Sequence, residues 1–278
     1  MDEQTKLRLE AIQKFILKSA VPILEEKIDG KPVPIGTGTL LRINDRYFVI
    51  AAQHLFDDPE TLKNLAIPDA IDGRGYTRVL NLEYTRPTVE EIDIAIIEIT
   101  SSESIGAIKQ NWNFLTLDNV DVSAAATNVW VVGYPSALVH TRGANLVTEP
   151  FTLLTERLRQ VPTFAKLPIH EGLDIFYAYA RSADLLGKGS KDTPNLKGVS
   201  GAAIWDVSRG PESGFWAPQR FAKMVAIQSS AMHSDYLRTK SWWAVARSLS
   251  KIDEELAKAV LEKTGVTPEN APPSIEDE

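Results

Sequence analysis

Three short segments carry side chains whose types and order could do covalent chemistry. His54 closes Phe48-Val49-Ile50-Ala51-Ala52-Gln53-His54, an apolar run that ends in small residues. Asp93 opens the otherwise apolar Ile92-Asp93-Ile94-Ala95-Ile96-Ile97, and Ser200 sits between glycines in Lys197-Gly198-Val199-Ser200-Gly201-Ala202-Ala203. A serine hydroxyl is a poor nucleophile until a base accepts its proton, and imidazole is the base that titrates nearest neutrality. The imidazole needs a carboxylate on its other nitrogen to fix its tautomer and stabilise the imidazolium. An oxyanion needs donors set in place beforehand. The backbone N–H groups of Gly198 and Ser200 are candidates, because Gly198 permits the turn that would aim them. Together the three segments point to acyl transfer through a serine.

Each residue also has a plainer reading. His54 could be a half-buried structural histidine, Asp93 a strand-start residue and Ser200 part of a tight turn. Asp57 and Asp58 lie closer to His54 in sequence and stand as alternative partners, although their place before Pro59 reads as a solvated turn. His140, His170 and His233 have no ligand spacing, so no metal and no cofactor are expected.

The elements that must position these residues are mostly strands. Leu7, Leu9, Ile12, Phe15 and Ile16 recur at helical spacing and predict an N-terminal helix over residues 4–19, closed before Pro22. From about residue 20 to 230 the chain becomes short β-rich runs such as TGTLLRI, RYFVIAA, NVWVVGY and KMVAIQSS, broken by turn residues. That texture predicts an all-β sandwich or barrel. A hairpin over Leu41–Ile50 is expected to turn at Asn44-Asp45, and Asp72-Gly73 is a second turn candidate. Helical periodicity returns at KSWWAVARSLSKIDEELAKAVLEK, where Trp242-Trp243 should pack against a barrel. The last residues are acidic and proline-rich, and read as a disordered tail.

Composition narrows the function classes. The 278 residues hold 30 Lys+Arg against 37 Asp+Glu, a net charge of −7, which argues against binding a phosphate backbone. No cysteine is present, which removes disulfides, thiolate metal sites and cysteine nucleophiles. No apolar run approaches the roughly 18 residues that would span a bilayer. The first twenty residues carry scattered charge instead of a secretory pattern. A cytoplasmic protein without membrane or nucleic-acid partners is expected.

The three segments, taken in order, resemble the trypsin-like (chymotrypsin-fold) serine peptidases, specifically their cysteine-free bacterial-type members. GTGTLL (36–41) with FVIAAQH (48–54) is similar to that family's Gly-rich strand and histidine motif, DIAII (93–97) to its aspartate motif and GVSGAAIW (198–205) to its nucleophile motif. VVGYPS (131–136) resembles the Gly-Tyr-Pro strand between them, and the likeness covers about residues 20–250. The resemblance implies an all-β fold of two six-stranded antiparallel Greek-key β-barrels with N- and C-terminal helices. The expected division is an N-terminal helix (1–20), a first barrel with His54 and Asp93 (21–115), a second barrel with Ser200 (116–238), a C-terminal helix (239–266) and the tail (267–278). It implies His54 as general base, Asp93 as its orienting carboxylate, Ser200 as nucleophile, and the amides of Gly198 and Ser200 as the oxyanion hole. The pocket for the residue preceding the cut would be built from 187–196 and 226–233, with Pro194, Ser229, Ser230, Ala231 and His233 as lining. Ser229, Ser230 and Ala231 point to a small or apolar side chain there.

The function so implied is a serine endopeptidase working through an acyl-enzyme on a polypeptide substrate. An intracellular enzyme of this kind needs restraint, so a protein partner that orders the 187–196 loop is an associated expectation. The rival is a non-catalytic binding or scaffold module on the same fold, for which Gln53, Val199 and the added terminal helices speak. An α/β esterase is disfavoured, since Ala202 breaks the GxSxG pattern and the histidine comes first.

Overall fold

The computed structural model of the chain describes residues 2–71, 75–85, 92–123, 126–142, 145–180, 182–184, 190–208, 216–232 and 235–270. The turn expected at Asp72-Gly73, the glycines at 187 and 189, His233 and most of the tail lie outside them.

The first half forms strands β1 (Ala20–Glu26), β2 (Pro32–Ile43), β3 (Arg46–Ala51), β4 (Leu65–Pro68), β5 (Tyr76–Arg78), β6 (Leu82–Thr85) and β7 (Ala95–Ile99). They make one antiparallel sheet of seven strands in the order β5-β4-β1-β2-β3-β7-β6, one strand more than a six-stranded barrel. The hairpin joining β2 and β3 turns at Asn44-Asp45, between paired Ile43 and Arg46. Asn44 takes φ 53°, a left-handed conformation that asparagine tolerates better than other side chains.

The second half adds β8 (Asn128–Gly133), a hairpin of β9 (Val139–Arg142) and β10 (Asn145–Thr148), then β11 (Phe151–Glu156) and β12 (Asp174–Ala178). A small hairpin of β13 (Ser182–Asp184) and β14 (Ser190–Asp192) precedes β15 (Ala203–Asp206), β16 (Lys223–Met232) and β17 (Tyr236–Ser241). Six of these form a sheet in the order β11-β8-β15-β16-β17-β12. A bridge between Arg157, just past β11, and Tyr177 in β12 brings the two edge strands together, so the sheet curls back on itself. The molecule is thus mostly β, two curled antiparallel sheets with a few helices.

Helices are α1 (Glu3–Leu17), α2 (Pro59–Lys63), α3 (Ser102–Asn111), α4 (Pro218–Phe221), α5 (Trp242–Leu249) and α6 (Glu254–Thr264). Asp2 caps α1 by accepting from the Thr5 amide at 2.8 Å, and Ile12 and Ile16 are buried beneath it. Phe15 sets its ring edge-on to Trp205 of β15, 6.5 Å between centroids, so α1 reaches the second sheet. Leu7, expected on the buried face, is exposed. The helix expected over 239–266 is two helices after three residues of strand. Asp253 starts α6 by accepting from the Leu256 amide at 2.9 Å. The same carboxylate pairs with Arg46, which also holds Glu98 of β7, and so ties α6 to the first sheet. Trp242 and Trp243 are buried against the sheets.

One charged cluster lies inside the second sheet. The Asp174 side chain, fully buried, accepts from Arg238 at 2.8 and 2.7 Å, from Lys240 at 2.7 Å and from the His170 amide at 2.8 Å. Burial pushes the carboxyl's pKa up, but these donors outweigh it and hold the pKa below the ordinary value. Replacing the carboxylate would strand two buried cations. Asp174→Asn is therefore expected to cost about 3–5 kcal/mol of unfolding free energy in urea denaturation; a loss below about 1 kcal/mol would show that the cluster relaxes into solvent.

Candidate active site

The histidine and the aspartate are brought together by one strand pair. β3 and β7 run antiparallel with Ala51 opposite Ala95. His54 follows three residues after Ala51 on a short helical turn, Gln53–Phe56, and Asp93 lies two residues before Ala95. Ile92 and Ile94 are buried on either side of Asp93 and fix its backbone. Its carboxylate grips His54 twice: Oδ1 accepts from the His54 backbone N–H at 3.0 Å, and Oδ2 lies 2.9 Å from Nδ1. This leaves Nε2 of the half-exposed ring facing away from the acid. The hydrogen bond to Asp93 raises the imidazole pKa above 6.5; partial burial opposes it, and the charges of Asp93 and Asp57 add to it. Asp58 is occupied at the start of α2, where it accepts from the Glu60 amide at 2.9 Å. Asp93, of the three candidate acids, is the one bonded to the ring.

Ser200 lies on a tight double turn. The Val199 amide donates to Leu196 O and the Ala202 amide to Val199 O, both at 2.9 Å, while the Gly201 amide donates to Gln228 O of β16 at 2.8 Å. Gly198 and Gly201 take φ of 95° and 92°, a region that side chains rarely adopt. Val199 turns inward and is fully buried in the second sheet's core. Neither the Gly198 nor the Ser200 amide donates to an acceptor among the described residues. Two N–H groups in this turn are thus uncommitted among the described residues and available as donors.

Thr37 of β2 joins the two halves at this turn. Its amide donates to Ser200 O at 2.9 Å, its hydroxyl donates to Gly198 O at 2.9 Å, and that hydroxyl accepts from the Tyr134 amide at 3.0 Å. The residue is fully buried. The approach is close enough that a Cβ on Gly201 would collide with Thr37 O, and one on Gly133 would sit 2.9 Å from a Val199 methyl.

A cleft of about 430 Å³ opens between the halves. His54 and Asp93 line it from the first half, and Tyr179, Asn195 to Lys197, Ser200 and Gln228 to Ala231 of β16 from the second. Ser200 Oγ makes no hydrogen bond to His54 or to any other described residue. Of the expected pocket residues, Ser229, Ser230 and Ala231 line this cleft, whereas Pro194 is set back and its carbonyl accepts from the Tyr179 hydroxyl. His233 lies outside the described residues. Tyr179 comes from a distant strand end that no motif marks, and Gln228 hides in the apolar run KMVAIQSS. Among the described residues, no group of three His, Asp or Glu side chains could hold a metal ion, and no helix is long and apolar enough to cross a membrane.

No protein-family model and no curated protein matches the chain. Among solved structures it is similar to the scabies mite inactivated protease paralogue S-I1, at 14% identity and a TM-score of 0.47 over 82% of this chain and 90% of that one. It is also similar to a chain from work on the coupled folding and binding of the intrinsically disordered Sesbania mosaic virus VPg protein, at 11% identity and a TM-score of 0.41 over 81% and 87%. These likenesses are distant and transfer no residue role.

The clamp at Thr37 is directly testable. Thr37→Val keeps the shape but leaves Gly198 O and the Tyr134 N–H without their partner, so a loss of about 1–3 kcal/mol is expected in urea unfolding. Thr37→Ser should recover most of it; a valine variant as stable as the parent would remove the hydroxyl from the account.

Proposed function

We propose that this chain is a serine endopeptidase of the trypsin-like type, built as two Greek-key barrels over residues 21–115 and 116–238 with the site between them. The observation that carries the proposal is one cleft holding Ser200, two uncommitted amides and an imidazole already bonded to a carboxylate at 2.9 Å. Acyl transfer is the chemistry these groups can perform together.

In this reading His54 Nε2 takes the Ser200 proton as Oγ attacks the substrate carbonyl. The Gly198 and Ser200 amides receive the oxyanion, and His54 returns the proton to the leaving amine. Water then attacks the acyl-enzyme by the same route. Asp93 holds the ring through two contacts, so the imidazolium formed on proton transfer lies beside a fixed negative charge. The unbonded Ser200 hydroxyl fits a resting state in which the Oγ to Nε2 hydrogen bond closes only with substrate in place. It also leaves room for a partner that drives that closure.

Two outcomes are expected. Ser200→Ala should reduce hydrolysis of a peptide library by on the order of 10⁴-fold or more, with its melting temperature unchanged because Oγ bonds to no other described residue. Undiminished hydrolysis would refute the mechanism, and absence of hydrolysis in the parent chain with partner binding intact would favour the scaffold reading. The pH profile gives the second. His54 must be neutral to act, and its pKa is raised, so kcat/KM should climb with pH through an apparent pKa above the ordinary 6.5. Asp93→Asn should move that limb downward and lower kcat by on the order of 10⁴-fold; a limb that stays in place would detach Asp93 from the base.

A further inference from the structure

One wall of the cleft carries a polar atom that the fold leaves unsatisfied. Gln228 is only 1% exposed, yet it lines the cleft and its Oε1 has no hydrogen-bond partner among the described residues. Its backbone is fully committed beside the nucleophile: its N–H donates to Ala202 O and its carbonyl accepts from Gly201, each at 2.8 Å. The residue's backbone is therefore fixed against the turn that carries Ser200. A buried amide oxygen without a donor is destabilising, and a bound donor would remove that cost.

A second lining residue offers the complementary group. Asn195 Oδ1 accepts from the Lys197 backbone N–H at 2.9 Å, which points its NH2 away from that contact and leaves it without a partner among the described residues. The cleft thus holds an acceptor on Gln228 and a donor on Asn195. Among the described residues that line it the one carboxylate, Asp93, is bonded to His54. A lysine or arginine side chain would find no counter-charge, a carboxylate could not donate to Gln228 Oε1, and an aliphatic side chain would leave that oxygen unsatisfied. A carboxamide presents one donor group and one acceptor.

We infer that Gln228 is the specificity-determining residue of this site and that the residue preceding the cut is a glutamine or asparagine, held between Gln228 and Asn195. The inference rests on the peptidase reading and replaces the small or apolar preference expected from the neighbouring serines.

The test pairs hydrolysis with binding. The parent chain is given a tetrapeptide–aminocoumarin library varied at the position before the scissile bond. Ser200→Ala is titrated with acetylated peptides ending in Gln, Asn, Glu, Leu or Lys. Gln or Asn should exceed Leu, Lys and Glu by at least about 10-fold in kcat/KM and in affinity. Gln228→Met should erase that ratio while Leu substrates are still cleaved. Should the methionine variant fail to fold, Gln228→Asn, which keeps the amide but shortens its reach, should weaken the same ratio. Hydrolysis with no carboxamide preference, or with one that both variants leave intact, would overturn the inference and spare the peptidase reading. Carboxamide-selective binding without hydrolysis by the parent chain would do the reverse. Neither hydrolysis nor selective binding would overturn both.

Discussion

The site is divided between two sheets, and what holds the halves in register is a threonine. Thr37 presents its amide to the carbonyl of the candidate nucleophile and its hydroxyl to the carbonyl two residues before it, while Tyr134 donates to that same hydroxyl. These contacts are buried, where a hydrogen bond lost is not replaced by water. Reactive groups must be held within a fraction of an ångström to gain from proximity, so a joint between sheets is where such a site is most vulnerable. The surrounding glycines follow from this constraint. Side chains at Gly133 or Gly201 would hold the sheets apart, and at Gly198 and Gly201 the turn needs positive φ as well.

Charge is arranged around the same joint. The acid–base pair is assembled entirely on the first sheet, by the register of β3 on β7. The candidate nucleophile and its uncommitted amides come from the second. Behind them, Arg238 and Lys240 share a single buried carboxylate, Asp174, so that cluster carries an excess of positive charge. The hydrogen bond to Asp174 raises the Arg238 pKa above its ordinary value, whereas burial lowers that of Lys240 in spite of the same carboxylate. The buried cluster therefore serves the strand architecture of β12 and β17.

Much of this was legible in the sequence, for identifiable reasons. Strand texture and the Asn44-Asp45 turn depend on local pattern, and both elements form where local preference points. The order of His54, Asp93 and Ser200 along the chain was visible too, and the cleft brings all three to its walls. What escaped is long-range or hidden in composition. Thr37 reads as one more residue of a Gly-rich strand, because its partner Gly198 is 161 positions away. Gln228 reads as a blemish in an apolar run until its neighbours are known. The break between α5 and α6 was present as Asp253-Glu254-Glu255, a capping pattern overridden by the continuous apolar spacing around it. Leu7 obeys the helical period but lies beyond the end of the surface that α1 covers.

Activation of Ser200 by His54 is the claim on which the account stands. Its most direct test is fluorophosphonate labelling of the full chain at neutral pH, with the modified peptide mapped by mass spectrometry beside His54→Ala. The expected result is a single adduct on Ser200 that is lost, or slowed by orders of magnitude, in the histidine variant. Labelling that is equally fast without His54, or an adduct on another serine, would contradict it.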